Sequence, residues 1–142
     1  MPITHPNTDR VAAITIDVIP HHLQRYDTCG DYTYDAYEKT LAITVSATDD
    51  WREAMTVAVH ELVEALLVIQ RGIPVAAIDS FDRGFSGGDQ DEPGDAPDAP
   101  YYDEHQSATV VEYLMAHELG LHWPSYEEHI YALSDTYTTN PA

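Results

Sequence analysis

The sequence predicts an α+β fold, in which a small sheet of two or three strands is followed by a long helix and two further helices. Apolar and polar residues alternate in segment 41–48, as they do in a strand with one buried face. A capped helical pattern begins directly afterwards, at Asp50. The length of 142 residues is typical of one domain with one core. We therefore expect residues 1–142 to form a single domain.

The strands are predicted in three segments. Segment 11–19, VAAITIDVI, is rich in β-branched residues, and Pro20 ends it because proline cannot donate to a sheet ladder. Segment 41–48, LAITVSAT, sends alternate side chains to opposite faces of the sheet. A short strand around 31–34 would lie between them in the chain.

The first helix is predicted from about Asp50 to Arg71. Asp50 can cap its N-terminus, with Glu53 as the reciprocal partner in a capping box. Gly72 and then Pro74 are typical of a helix end. A helix of about 21 residues, rising 1.5 Å per residue, is about 30 Å long, which is enough to cross the domain.

The remainder of the chain is predicted as a loop and two helices. Segment 84–100, GFSGGDQDEPGDAPDAP, is acidic and rich in glycine and proline, so we expect a mobile loop. It is not the calcium loop of an EF-hand, because Pro100 stands where that loop needs a bidentate glutamate. One helix is expected over about 103–119, and another from Ser125, where SYEE forms a capping box.

Charge and composition exclude several classes of partner. The chain has 25 Asp plus Glu against 6 Lys plus Arg, a net charge of −19. Phosphate binding requires cations, so we expect neither nucleic acid nor a membrane surface as a partner. No apolar segment reaches the ~18 residues of a membrane span, and no secretory signal is evident, so we expect a cytoplasmic protein. Cys29 is the only cysteine, which excludes an internal disulfide. Nothing predicts the oligomeric state.

Three polar residues interrupt the apolar helical segment 57–69. They are His60, Glu61 and Glu64. Such side chains are costly to bury unless they are paired or bound to an ion. His60 and Glu64 are four positions apart, so they lie on one face of a helix about one turn from each other. Glu61 lies on the same side of the helix. This pattern favours a metal site.

The same pattern permits an interpretation without a metal. Glu53, His60, Glu64 and Arg71 fall nearly on one line along the helix, as in a solvated stripe held by ion pairs. Val57 and other apolar residues flank that line closely, so a wet strip would be narrow. The apolar flanks therefore favour a metal site over a solvated stripe.

The segment HELVE, residues 60–64, resembles the His-Glu-x-x-His motif of the zincin metalloproteases, with Glu64 in place of the second histidine. The resemblance implies that His60 and Glu64 hold zinc and that Glu61 is the general base. The carboxylate ligand also makes Mn²⁺ or Fe²⁺ suitable ions. Zincins place their edge strand before this helix, where segment 41–48 stands. The chain thus looks like a minimal zincin-like domain of the small phage or bacterial type.

A catalytic zinc site takes three protein ligands and keeps one position open. We predict that the third ligand is His105, which follows the loop 84–100 and opens the next helix. Glu112 lies on the same helix face as His105. We expect it to accept a hydrogen bond from a ligand histidine, or to serve as a ligand itself. Asp79 and Asp82 are alternative ligands, or turn and cap residues.

The expected function is a metal-dependent hydrolase whose substrate is a peptide or protein, as the resemblance implies. Glu61 would take the proton of a zinc-bound water and deliver it to the leaving amine. Segment 41–48 would bind an extended peptide by adding a strand. The acidic loop 84–100 is expected to lie beside the metal and to favour cationic substrates.

The sequence also permits two other functions. One is a non-catalytic protein with a structural metal on a degenerate protease fold. The other is an all-α, Mg²⁺-dependent nucleotide pyrophosphatase that would use Glu61 and Glu64, although the predicted strands argue against it.

Overall fold

The computed structural model describes residues 9–87 and 91–137. Its elements in chain order are β1 (Ala13–Ile19), β2 (Gly30–Asp35), β3 (Thr40–Ser46), α1 (Trp51–Arg71), α2 (Val75–Gly84), α3 (Tyr102–Glu118) and α4 (Trp123–Ala132). Single 3₁₀ turns occur at His21–Leu23, Pro93–Asp95 and Leu133–Thr136. The fold is α+β, as the sequence predicts.

The strand order in the sheet is β1-β3-β2. The central strand β3 is parallel to β1 and antiparallel to β2. Its alternate residues Leu41, Ile43 and Val45 are 0% exposed, so one face of β3 is fully covered. The expectation that segment 41–48 binds an extended peptide by adding a strand is wrong, because both edges of β3 are hydrogen-bonded within the sheet.

The outer strand β1 is much less covered than β3. The register pairs Ile16 with Ile43, which places the β1 side chains Ile14, Ile16 and Val18 on the same face as the core residues of β3. These three β1 residues are nevertheless 43 to 48% exposed. The helices thus cover the apolar face of the sheet at β3 but leave much of it open at β1.

Helix α1 has the predicted bounds. Asp50 caps it by accepting a hydrogen bond from the backbone N–H of Arg52, and Gly72 ends it in the left-handed conformation, with φ of 72°. The predicted capping-box role of Glu53 is wrong. Its buried carboxylate instead accepts a hydrogen bond at 2.5 Å from Nδ1 of His129, which ties α1 to α4.

Two helices differ from the prediction. Segment 75–84, where turn residues were expected, forms helix α2, which buries Ile78 in the core. Helix α4 begins at Trp123, two residues before the predicted Ser125. The hydroxyl of Ser125 lies 2.8 Å from Nδ1 of His122, the N-cap residue of this helix.

Helix α1 occupies the centre of the fold. It packs against β2 and β3 and also against α3. The hydrophobic core contains residues of the sheet, α1, α2 and α4. Among the described residues, no helix combines the length and the apolar character that crossing a bilayer requires. The α1–α3 contact matters most for the site, because it brings His60 and Glu64 of α1 opposite His105 of α3.

Candidate metal centre

Three side chains from two helices bring their ligand atoms together. Nε2 of His60 lies 3.1 Å from Oε2 of Glu64 and 3.2 Å from Nδ1 of His105. The third side of this triangle, from Glu64 to His105, is 2.9 Å. In a tetrahedral zinc site with bonds of about 2.1 Å, ligand atoms are about 3.4 Å apart. The three residues therefore form a potential metal-ligand cluster that needs to open by only a few tenths of an ångström.

The cluster is buried. His60, Glu64 and His105 are 7%, 4% and 4% exposed, whereas Leu66, an apolar residue of the same helix α1, is 39% exposed. The solvated-stripe interpretation is therefore wrong, because the polar face of α1 points inward against α3. Groups of this kind are costly to bury without partners, which explains why each of them is held by others.

Hydrogen bonds orient the ligand atoms. Nδ1 of His60 donates to Oε1 of Glu112 at 2.7 Å, the contact expected between Glu112 and a ligand histidine. A neutral imidazole then has the free electron pair on Nε2. The hydroxyl of Tyr126 donates to the other oxygen of Glu112 at 2.5 Å. Similarly, Tyr32 donates to Oε1 of Glu64 at 2.8 Å. This leaves Oε2 of Glu64 to face the cluster.

Glu61 lies beside the cluster. Its Oε2 is 3.9 Å from Nε2 of His60, and the residue is 9% exposed. Burial, followed by the charge of Glu64, raises the pKa of Glu61 well above its usual value, which makes its carboxylate a stronger base. Strand β2 passes closely over it: a Cβ placed on Gly30 would lie 2.6 Å from Cγ of Glu61. Glycine at this position therefore makes room for Glu61.

The pKa values of Glu64, His60 and His105 depend on the hydrogen bonds among them. Burial alone would raise the pKa of Glu64, but hydrogen bonds from His105 and His60 outweigh it and lower that pKa to about 2. Burial alone would lower the pKa of His60, but hydrogen bonds to Glu112 and Glu64 raise it well above the usual value. The pKa of His105 is raised in the same way, against burial, by its hydrogen bond to Glu64. Without an ion, these histidines hold protons that a metal must displace.

An acidic cavity of about 270 Å³ opens over the cluster. Its carboxylates come from Asp27, Glu61, Glu64, Asp82, Glu92, Asp95, Glu112 and Glu127. Among the described residues, no lysine or arginine lines it. Glu92 and Asp95 belong to the acidic loop 84–100, which therefore lies beside the cluster as predicted. Its Asp89 lies outside the described residues, and the mobility of the loop stays a prediction.

Asp79 and Asp82, the alternative ligands predicted from the sequence, lie outside the cluster. Asp79 accepts hydrogen bonds from Arg25, at 3.2 and 3.3 Å. Asp82 accepts hydrogen bonds from the hydroxyls of Tyr26 and Tyr101. Burial raises the pKa of Asp82 to about 6, although both tyrosines oppose this. Both carboxylates lie on α2 and hold it to neighbouring segments of the chain, rather than serving as turn residues.

The site predicted from the sequence did not include Gly30, Tyr32 and Tyr126. Gly30 and Tyr32 are two positions apart on β2, so they share one face of that strand. That spacing is a signal that could have placed both opposite α1. Tyr126 has no comparable signal, because its contact with Glu112 depends on how α4 packs against α3.

No protein-family model, no curated protein and no solved structure matches this chain. The zincin comparison therefore depends on residues 60–64 and on the arrangement described above, and it stays a prediction.

Proposed function

We propose that this protein is a metal-dependent hydrolase in which His60, Glu64 and His105 hold a divalent ion and Glu61 is the general base. The observation that carries the proposal is the triangle of three ligand atoms with the carboxylate of Glu61 beside it, 3.9 Å from Nε2 of His60. Two imidazoles and one carboxylate are a donor set that zinc accepts, and Mn²⁺ or Fe²⁺ suits it as well.

The chemistry divides between the ion and the protein. A bound divalent ion supplies Lewis acidity and makes water more acidic. Glu61 accepts the proton of the attacking water and returns it to the leaving group. Glu112 and Tyr32 keep His60 and Glu64 oriented. The cavity gives the substrate access to this side of α1.

We propose a peptide or protein as the substrate, and the structure favours β2 over β3 as the strand that a peptide would join. Strand β2 is an outer strand, and in the described part of the chain no strand pairs with its other edge. Its first residue, Gly30, lies against Glu61. An extended peptide added along β2 would therefore pass close to the general base.

The test is to compare the metal content and the hydrolytic activity of the wild type with those of Glu61→Gln. Metal content is measured by elemental analysis of the purified protein, and activity with a fluorogenic peptide library. We expect Glu61→Gln to retain its ion and to lose activity by a factor of about 10² to 10⁴. Glu118→Gln, the same change at an exposed position of α3, is the control. Loss of the ion in Glu61→Gln would make Glu61 a ligand and would contradict the assignment.

One observation favours a second candidate, a non-catalytic protein with a structural metal. All three candidate ligands are at most 7% exposed, and an ion there would join α1 to α3. In that case, chelation lowers the melting temperature while the wild-type protein hydrolyses no peptide. The pyrophosphatase alternative does not fit, because the three-stranded sheet contradicts its all-helical architecture.

A further inference from the structure

In the described part of the chain, one ring nitrogen next to the cluster has no hydrogen-bond partner. This atom is Nε2 of His105. Among the described residues, it is the one buried side-chain nitrogen or oxygen that lacks a hydrogen-bond partner. The side chain of His105 is 6% exposed, and its other nitrogen, Nδ1, faces Glu64 at 2.9 Å. A neutral imidazole that holds an ion through Nδ1 has its proton on Nε2. That buried N–H then needs an acceptor.

The loop 84–100 presents an acceptor at the right place. Oδ1 of Asp95 lies 3.4 Å from Nε2 of His105, slightly beyond the usual hydrogen-bond range. Gln106, the residue after His105, donates to the same oxygen at 2.9 Å and so holds Asp95 near the ring. The loop backbone also lies against the imidazole, because a Cβ on Gly94 would be 2.4 Å from Cγ and Nδ1 of His105.

We propose that Asp95 is a positioning residue of the metal centre: it accepts the Nε2–H of His105 and so fixes Nδ1 toward the ion. This inference rests on the proposed metal function. In this arrangement Asp95 would orient His105 without itself contacting the ion, as Glu112 does for His60. A movement of about half an ångström closes the contact to ordinary length. The acidic loop thereby becomes part of the centre.

A second cation is the competing explanation for the same atoms. Ligand atoms of Glu92, Asp95 and His105 lie within 4.8 Å of one another. An ion there would bind Nε2 while another ion binds Nδ1, so that the ring of His105 would have to give up its remaining proton. A hydrogen bond to Asp95 satisfies Nε2 without that requirement. The number of ions per chain distinguishes the two explanations.

The experiment compares the zinc affinity of Asp95→Asn and Asp95→Ala with that of the wild type, by competition with a chromophoric chelator. Outer carboxylates typically contribute 10- to 100-fold to metal affinity, so we expect a loss of about 10-fold for Asn and up to about 100-fold for Ala. Asp98→Asn is the matched control. It removes the same charge from the same loop, but Asp98 lines a separate hollow. We therefore expect Asp98→Asn to bind zinc with the wild-type affinity.

Two further measurements separate positioning from a general structural effect. The absorption spectrum of the Co²⁺-loaded protein reports the ligand geometry, and we expect it to change in both Asp95 variants but not in Asp98→Asn. The side chain of Asp95 is 52% exposed, so we expect the metal-free variants to melt at the wild-type temperature.

Equal zinc affinity and identical Co²⁺ spectra in the Asp95 and Asp98 variants would overturn the inference while leaving the proposed function intact. Two zinc ions per wild-type chain, falling to one in Asp95→Ala, would overturn it in favour of a second ion. A wild-type protein that binds no zinc or cobalt would overturn both this inference and the proposed function.

Discussion

Glu112 on α3 accepts a hydrogen bond from Nδ1 of His60 on α1 at 2.7 Å, and this contact turns Nε2 of His60 toward Glu64 and His105. Helix α3 therefore contributes both a ligand atom, from His105, and the group that orients a ligand on the other helix. The cluster depends on the packing of α1 against α3 rather than on either helix alone.

The first prediction concerns the ligands. His60→Ala and Glu64→Ala should each abolish stoichiometric metal binding, because each removes one of three ligand atoms. Elemental analysis of the purified variants measures this. His117→Ala, which removes an exposed histidine of α3, should bind metal like the wild type. If both alanine variants of the cluster kept a full complement of metal, their side chains would serve packing only.

The second prediction concerns the support of His60. Glu112→Gln should weaken zinc binding by about 10- to 100-fold, because it removes the carboxylate that orients His60. Tyr126→Phe should have a smaller effect, since the Tyr126 hydroxyl donates to Glu112 and is one contact further from His60. Tyr113→Phe, at an exposed position of α3, is the control. A larger loss in Tyr126→Phe than in Glu112→Gln would contradict this order of contacts.

The third prediction concerns the space for Glu61. Gly30→Ala should reduce hydrolysis but leave the ion bound, because the added Cβ would lie 2.6 Å from Cγ of Glu61 and displace that side chain. Overpacking of this kind typically costs about 1–3 kcal/mol of stability. Gly84→Ala is the control, since no atom of the described residues lies within 4 Å of its added Cβ. Steady-state rates and melting curves of both variants test this, and unchanged activity in Gly30→Ala would argue against Glu61 as the base.

The fourth prediction concerns pH. The raised pKa values of His60 and His105 mean that both hold protons at pH values above the ordinary histidine value of 6.5. An ion must displace these protons, so metal affinity should fall as the pH falls, and the decline should begin above 6.5. Glu64 does not add to it, because its pKa is about 2. Calorimetry in buffers of different ionisation enthalpy counts the protons released, and release of none at pH 6.5 would contradict the prediction.

The fifth prediction concerns substrate charge. The cavity is lined by carboxylates and, in the described part of the chain, by no lysine or arginine. Basic peptides should therefore be cleaved faster than matched acidic ones, and the ratio should fall as salt rises. Glu92→Gln should lower that ratio, whereas Asp98→Asn, outside the cavity, should not. A ratio that is insensitive to salt and to Glu92→Gln would leave the loop without an electrostatic role.

The elements with local signals were predictable. Alternation in β3, the Asp50 cap and Gly72 determine where β3 ends and α1 begins and ends, and each signal lies within a few residues. Helix α2 has no side-chain cap and contains Asp, Ser and Gly, which are typical of turns. It is helical because Ile78 packs in the core, a tertiary effect.

The arrangement of the parts was less predictable. The order β1-β3-β2 is set by pairing between segments that are distant in the chain. The alternation of residues in β3 does not indicate which strands lie beside it. In the site, HELVE identified His60, Glu61 and Glu64 as candidates by helical spacing. Placing Tyr32 or Asp95 beside them requires knowledge of how β2 and the acidic loop fold over α1 and α3.

The open apolar face of β1 has a consequence for the colloidal behaviour of the protein. In the described part of the chain, no strand pairs with the outer edge of β1, and unpaired edges of sheets are templates for pairing with another molecule. The face of the same strand carries Ile14, Ile16 and Val18 at 43 to 48% exposure. The net charge of −19 opposes such contacts by mutual repulsion. Concentrated salt screens that repulsion, and acidification toward the isoelectric point of about 4.3 removes it. Dispersion of the protein in dilute buffer is therefore maintained by its charge, and light scattering should rise under either condition.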